Sequence, residues 1–487
     1  MITRRSSLKK LGAMGAMGML AEPAARLRAG DNSSPPLLAF GAQARQAIFD
    51  RVFKAPLVDT HEHLIDEAER LRGTAHPKVG CDDWAFLMSH YLDSDLLNAG
   101  MPPQAMARFS GSGMDPIAKW ELIEPYWPYV RHTGYGQAVA ITLRELYGVE
   151  ELNGTSVRQV QAEYEKTRRP GFYRRILCEK AGIESCQVNC LTGEPFKESS
   201  QPVLLMQDLS IVGMFSGPGL QTYARPAGIN VQSLADWHRV IDWWFTRYGP
   251  FAVAVKSQQA YGRDIDYQRV PAEQAAPVFE QVLNKKSISN EQRKLLEDHL
   301  FWKAADGAAA AGLPVKLHTG YYAGRNSMPL DRLSHNPGSA ASLCRLAPST
   351  QFVFMHICYP YYEEMIALAK QWANAYIDMC WAWIINPIAA KDFLKKFIVT
   401  APLNKVLTFG GDYIPVEPVL GHAFMARRGI ALALSELVEE GWLTLADALS
   451  LVNPLTHGNA RQLFKLAEKS ARLEKAPWAM GATPGGR

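Results

Sequence analysis

The chain has 487 residues, 47% of them hydrophobic and 21% charged, with a formal net charge of +4. That length allows one large domain or two to three average ones, and no apolar run reaches the roughly 18–20 residues that cross a bilayer, which excludes stable membrane insertion. So small a charge, with no Lys/Arg stripe interleaved with aromatics, leaves no footprint for nucleic acid and points to a small-molecule partner.

In chain order, Thr3-Arg4-Arg5-Ser6-Ser7-Leu8-Lys9 precedes a mildly apolar stretch from Leu11 to Ala21. Residues 1–30 are therefore expected to be an export signal of twin-arginine type, sending the protein to the periplasm, or leaving it cytoplasmic if the signal does not function. Residues 31–36, rich in Asn, Ser and Pro, read as a linker, and 31–63 as linker, helix and first strand. Strands are expected near 57–60, 184–188, 203–205 (or 211–215), 252–256, 315–318, 352–356, 376–379 and 406–409. Their continuous apolar runs suit strands buried on both faces, and amphipathic stretches at 291–311, 361–374 and 387–398 separate several of them. The alternation predicts an α/β fold, a (β/α)₈ TIM barrel. Residues 64–182, rich in Trp and Tyr, are too long for a βα loop and are expected to form a helical insertion over the barrel mouth. The barrel then resumes over 183–470, and 471–487 reads as a tail. The seven cysteines are odd in number and scattered, so they are expected as small buried side chains rather than a disulfide framework.

Polar residues at the ends of these runs carry the chemistry. His61 and His63 close the first strand, and residues two apart on a strand share a side. His318 ends the run 313–317, His356 ends 352–355, and Asp412 follows 407–411. Each alone reads as a core histidine or a turn-capping aspartate. Together they lie at the C-terminal strand ends, which converge on one face of a barrel, and form a nitrogen/oxygen donor set that suits a borderline metal such as zinc. Lys256 ends the run 251–255; as an ordinary ammonium it has no lone pair for a metal and would bind a substrate anion or pair with a carboxylate. Arg325 and Arg263 are candidate anion grips, and Tyr261, Tyr321, Trp381 and Trp383 candidate pocket walls.

At this point the chain resembles the amidohydrolase superfamily. The resemblance rests on Asp59-Thr60-His61-Glu62-His63, His318, His356 and Asp412, over most of residues 55–470. Residues 119–124 (Lys-Trp-Glu-Leu-Ile-Glu), Thr142 to Gly148 and His318 to Asn326 are similar to uronate isomerases, and 453–464 to the family's closing helix. The resemblance implies one or two divalent metal ions, zinc or manganese, held by the histidine pair and Asp412, often with His318, and in two-metal members also by a carboxylated lysine at the place of Lys256. His356 is a further ligand or a substrate contact, and Asp412 exchanges the proton of a metal-activated water. It implies hydrolysis of an amide, lactone or ester, with uronate isomerisation or decarboxylation as alternatives on the same site. A non-catalytic ligand-binding barrel is the reading from another class. Homo-oligomers are frequent in the superfamily, though no interface is legible here.

Overall fold

Apolar runs that are buried on both faces must pair side by side, and eight strands do so here. The computed structural model describes residues 42–73, 80–211, 220–325 and 327–479. The expected export signal and most of the linker lie outside them. In chain order the strands are β1 (Leu57–Glu62), β2 (Ile183–Val188), β3 (in two stretches, Leu205–Gln207 and Leu209–Ser210), β4 (Val255–Ser257), β5 (Val315–Leu317), β6 (Phe352–Phe354), β7 (Ala375–Asp378) and β8 (Val406–Leu407). All neighbouring pairs are parallel, with registers such as Val255↔Val315 and Phe352↔Ala375. The barrel closes between β8 and β1, where Thr60 N–H donates to Phe409 O at 2.9 Å and Asp412 N–H to His61 O at 2.9 Å.

Helices separate most strands, as a right-handed parallel connection requires. Leu234–Tyr248 leads to β4, Asn290–Ala310 to β5 and Pro387–Ile398 to β8, while Glu417–Glu439 follows β8. Local chemistry starts several of them. Ser289 and Gln292 form a reciprocal capping box, as do Thr444 and Asp447, and Ser233 caps through Asp236 N–H. Between β2 and β3 the described residues contain no helix, a departure from the repeating pattern.

The third strand is the clearest correction to the sequence pattern. It runs from 205 to 210, between the two stretches expected, and residues 212–219 lie outside the described ones. Asp208 interrupts it and turns its carboxylate into the barrel, where Lys316 Nζ donates to both oxygens at 2.9 Å and to Thr60 O at 2.8 Å. Polar residues facing inward broke the apolar run that a hydrophobic pattern needs.

From β1 to β2 every regular element among the described residues is helical. Gly134–Tyr147 packs on Glu417–Glu439, closely enough that a Cβ on Gly421 would meet Ala138 O at 1.9 Å. Arg70 ties this region to the barrel, donating to both carboxylate oxygens of Glu417 (3.0 and 2.9 Å), to Asp82 at 2.8 Å and to Tyr164 Oη at 2.7 Å. At the opposite end Val58, Met206, Val353 and Leu407 pack with Leu463 and Phe464, so the last helices plug the barrel floor. All seven cysteines are free thiols.

One pair of histidines gives the fold a pH dependence. His238 and His299, on Leu234–Tyr248 and Asn290–Ala310, face each other with Nε2 atoms 2.9 Å apart, and His299 Nδ1–H donates to Val270 O at 2.7 Å. Burial first, and then His299 and Lys303, push His238 down to about 4, against a partial upward pull from Asp242. Its folded pKa lies below its unfolded one, so the unfolded chain binds the proton first. Its contribution is complete above about pH 6.5 and declines as pH falls toward 4. Thermal unfolding followed across this range should show Tm falling, with a shallower fall in His238→Gln; an identical slope in that variant would remove the pair from the account.

Candidate metal centre and pocket

The strand ends place three ligand groups together. His61 lies within β1 and His63 just after it, with ring centroids 4.7 Å apart. Asp412 follows Gly410 and Gly411 beyond β8, and its Oδ1 lies 3.1 Å from His61 Nε2 and 3.2 Å from His63 Nε2. The three ligand atoms lie within 4.8 Å of one another, and all three residues are buried. His63 Nδ1 is 2.7 Å from Asn189 O. A carbonyl only accepts, so Nδ1 carries the proton and Nε2 of the neutral ring presents a lone pair. In the neutral ring that lone pair faces the Asp412 oxygen, with the Gln258 amide nitrogen 3.4 Å away, and a divalent cation between the two acceptors would satisfy both. An ion with bonds of about 2.0–2.2 Å fits such edges.

Electrostatics favour the ligand state. Burial, and then Lys256, hold the His61 imidazolium well below its ordinary pKa, so its ring is neutral. Burial would raise the Asp412 carboxyl, but the facing imidazoles outweigh it and keep the group ionised. Backbone geometry marks the same place: His356, Trp381 and Asp412, beyond β6, β7 and β8, have φ of 62°, 65° and 63°. Left-handed non-glycine residues cost of order 1–3 kcal/mol and cluster where function over-determines them. The Asp412 loop also depends on close approach. A Cβ on Gly411 would meet Glu62 Oε1 at 1.9 Å, and one on Gly410 would meet Cys380 Cβ at 2.4 Å. Gly411→Ala should therefore displace Asp412 and cost about 1–3 kcal/mol, read as lower metal content and lower Tm; full metal content would show that the loop can yield.

The other candidates sit around this group. His318 Nε2 is 2.8 Å from Tyr321 O, which commits that nitrogen as a donor. His356 Nδ1 faces Cys380 O at 3.1 Å, leaving its buried Nε2 without a protein partner. Among the described residues neither belongs to the three-residue group. The two ring centroids lie 4.5 Å apart with the rings tilted by 57°, and His356 Nδ1 is 4.0 Å from Asp412 Oδ2. Burial lowers His356 to about 4. Lys256 is fully buried, donates among the described residues to the Met355 thioether at 2.8 Å, and is pushed down to about 8 by burial despite Asp412.

A cavity of about 500 Å³ opens above the metal group. Arg325, Tyr261 and His318 line it, and the Tyr261 ring lies against His318, tilted by 43° with centroids 4.4 Å apart. Two expected substrate contacts lie elsewhere. Arg263 is engaged by Asp298 at 2.6 Å, Asp266 at 3.2 Å and Glu297 at 3.3 Å, so its fork is already occupied by carboxylates. Trp381 is fully buried, stacked on Tyr91 at 4.7 Å and edge-on to His356 at 5.3 Å, behind the wall rather than in it. Tyr321 lines an adjoining cavity beside Arg325, and Trp383 is a core residue donating to Thr408 O. Sequence reasoning missed Ser89, His90, Asp93 and Ser94, which line the pocket from the helical region. It also missed Tyr91, whose hydroxyl donates to Asp412 O. Gln258 and Asn189 were within reach of the strand-end rule, since each closely follows a strand.

The amidohydrolase family model matches residues 287–466, the segment holding His318, His356 and Asp412. The match spans well under half of the chain, so it is this segment that is similar to the amidohydrolase family. Among solved structures, the uronate isomerase of Thermotoga maritima matches with a TM-score of 0.69 at 14% identity, covering 87% of this chain and 97% of that one. The glucuronate isomerase of Caulobacter crescentus matches with a TM-score of 0.69 at 16% identity, covering 93% and 98%. A protein of Lactobacillus casei assigned to the metal-dependent hydrolases matches at 0.60 and 15%, covering 87% and 98%. Protein fluG of Emericella nidulans is 25% identical over 232 residues, which is 45% of this chain; the match spans only 26% of that protein's length. At these identities the solved structures speak for the barrel fold alone.

Proposed function

We propose that this chain is a member of the amidohydrolase superfamily and a divalent-metal-dependent hydrolase cleaving an amide, lactone or ester bond of a small anionic substrate. The observation that carries the proposal is the convergence of His61, His63 and Asp412, with both Nε2 atoms within 3.2 Å of one Asp412 oxygen. This donor set suits zinc, with manganese as the alternative. The bound ion supplies Lewis-acid polarisation and a lowered pKa for a water at the site.

The chain's own residues do the rest. Ionised Asp412 takes a proton at Oδ2 and returns it to the leaving group. The Lys256 ammonium, beside Asp412 in a dry barrel, favours negative charge developing on the substrate. His356 Nε2 accepts from a substrate or water hydroxyl. Arg325, exposed at the pocket edge, grips a carboxylate through its fork. Arg325→Ala is then expected to raise KM for anionic substrates more than it lowers kcat, and an unchanged KM would free Arg325 from this role.

Uronate isomerisation is the second reading, supported by the near-complete coverage of two isomerases at a TM-score of 0.69. Turnover in ¹⁸O-labelled water and in D₂O tests both. Hydrolysis places solvent oxygen in the product, whereas isomerisation places solvent hydrogen on carbon. Zinc- and manganese-loaded protein that turns over none of the lactones, amides, esters and uronates offered, while binding some of them, would support a ligand-binding barrel instead.

A further inference from the structure

A second cavity, of about 240 Å³, lies at the opposite end of the barrel from the metal group. Gly249 and Pro250, shortly before β4, and Ala311 and Gly312, shortly before β5, form one side of it. The other side is Lys465, Glu468, Lys469 and Arg472, positions that share one face of the helix Leu466–Leu473 and its first flanking residue. Three cations against one carboxylate leave a net charge of +2.

How that charge is held decides the matter. Glu468 is engaged by Arg472 at 2.8 Å, a pair that neutralises itself. Lys469 is only 6% exposed, and its Nζ donates to Gly249 O at 3.2 Å and Pro250 O at 3.3 Å. Among the described residues neither Lys469 nor Lys465 has an ion pair. Lys465 stands in the left-handed region (φ 53°), and a Cβ on Gly312 would lie 3.2 Å from its Nζ, so this ammonium lies across the bare wall at Gly312. A buried ammonium with only carbonyl partners is costly unless a counter-charge reaches it.

We propose that this cavity binds a small multivalent oxyanion of the phosphate type, held by the ammonium groups of Lys465 and Lys469. Its volume is below the range of about 300–1,000 Å³ typical of larger ligands, so inorganic phosphate or a small phosphate monoester fits and a nucleotide does not. Burial first, and Arg472 second, push Lys469 down to about 8, and a bound anion would reverse that pressure. None of these residues belongs to the metal centre.

The test is calorimetric titration of the full metal-loaded chain with inorganic phosphate and with glycerol phosphate, at constant ionic strength. One saturable site is expected. Its Kd should rise at least about tenfold, or about 1.4 kcal/mol, in Lys465→Glu and in Lys469→Met. The His61→Ala/His63→Ala double variant should retain it. Lys465 is exposed, so its variant remains informative if Lys469→Met fails to fold. The tighter of the two ligands identifies the source of the phosphoryl group. Absent saturation, equal binding by both lysine variants, or loss in the histidine variant would overturn the proposal. So would equal competition by chloride, which would leave an adventitious ion only.

Discussion

Alanine at both His61 and His63 is expected to strip the divalent metal from the purified chain while leaving the barrel folded. Both rings lie at the end of β1, beyond the apolar floor at Val58, so the strand keeps its packing and its bonds to β2 and β8. What remains is Asp412, one carboxylate with no second ligand atom in the three-residue group. Asp412→Asn makes a sharper cut. The amide keeps the size of the side chain, but it loses the charge that faces two imidazoles and cannot take a proton. Turnover should fall by about 10²–10⁴-fold, the usual contribution of a positioned acid–base group, on top of any loss of metal. Elemental analysis beside a kinetic assay separates the two effects. Metal retained with turnover lost assigns proton transfer to Asp412, and both lost together assign it mainly to ligation. Metal and turnover both preserved in the two variants would remove this group from the chemistry altogether.

The pattern of polar residues at the ends of apolar runs made His61, His63 and Asp412 legible, because a parallel barrel sends every strand's C-terminal end to one face. The same rule reached His318 and His356 but could not show that Tyr321 O and Cys380 O each engage one of their nitrogens. Those partners depend on the left-handed turn at His356 and the one at Trp381, which no local propensity announces. Arg263 looked available because it follows a strand end closely. Its carboxylate partners Glu297 and Asp298 lie on a helix more than thirty residues later. Ser89, His90 and Asp93 were invisible for the converse reason, since their place in the pocket is set by how a helical region docks. β3 was misplaced because Asp208 stands where a period-based reading demands an apolar residue.

That aspartate carries the second large expectation. Lys316 and Asp208 form an ion pair with both side chains at 0% exposure, and Lys316 Nζ also lies 5.0 Å from the Phe464 ring centre. Taking both charges out of water costs several kcal/mol each, offset by their attraction and by the added bond to Thr60 O. Lys316→Met removes the cation and leaves a carboxylate buried alone, which should destabilise the fold by about 3–5 kcal/mol. Asp208→Leu should cost a similar amount by leaving the ammonium alone. The double variant should lose much less than the sum, because an apolar pair needs no counter-charge, and the shortfall measures the coupling. Denaturant unfolding of the four proteins at one pH decides it. Strict additivity would mean that water or another group reaches Asp208, and that the barrel interior beneath His318 is wetter than its packing implies. Coupling of several kcal/mol would make this pair a fixed post under two strands: Lys316 precedes His318 by two residues on β5, and its bond to Thr60 O fixes the residue before His61. The double variant should then keep its fold yet hold the metal ligands less rigidly, read as a weaker zinc affinity at nearly unchanged Tm.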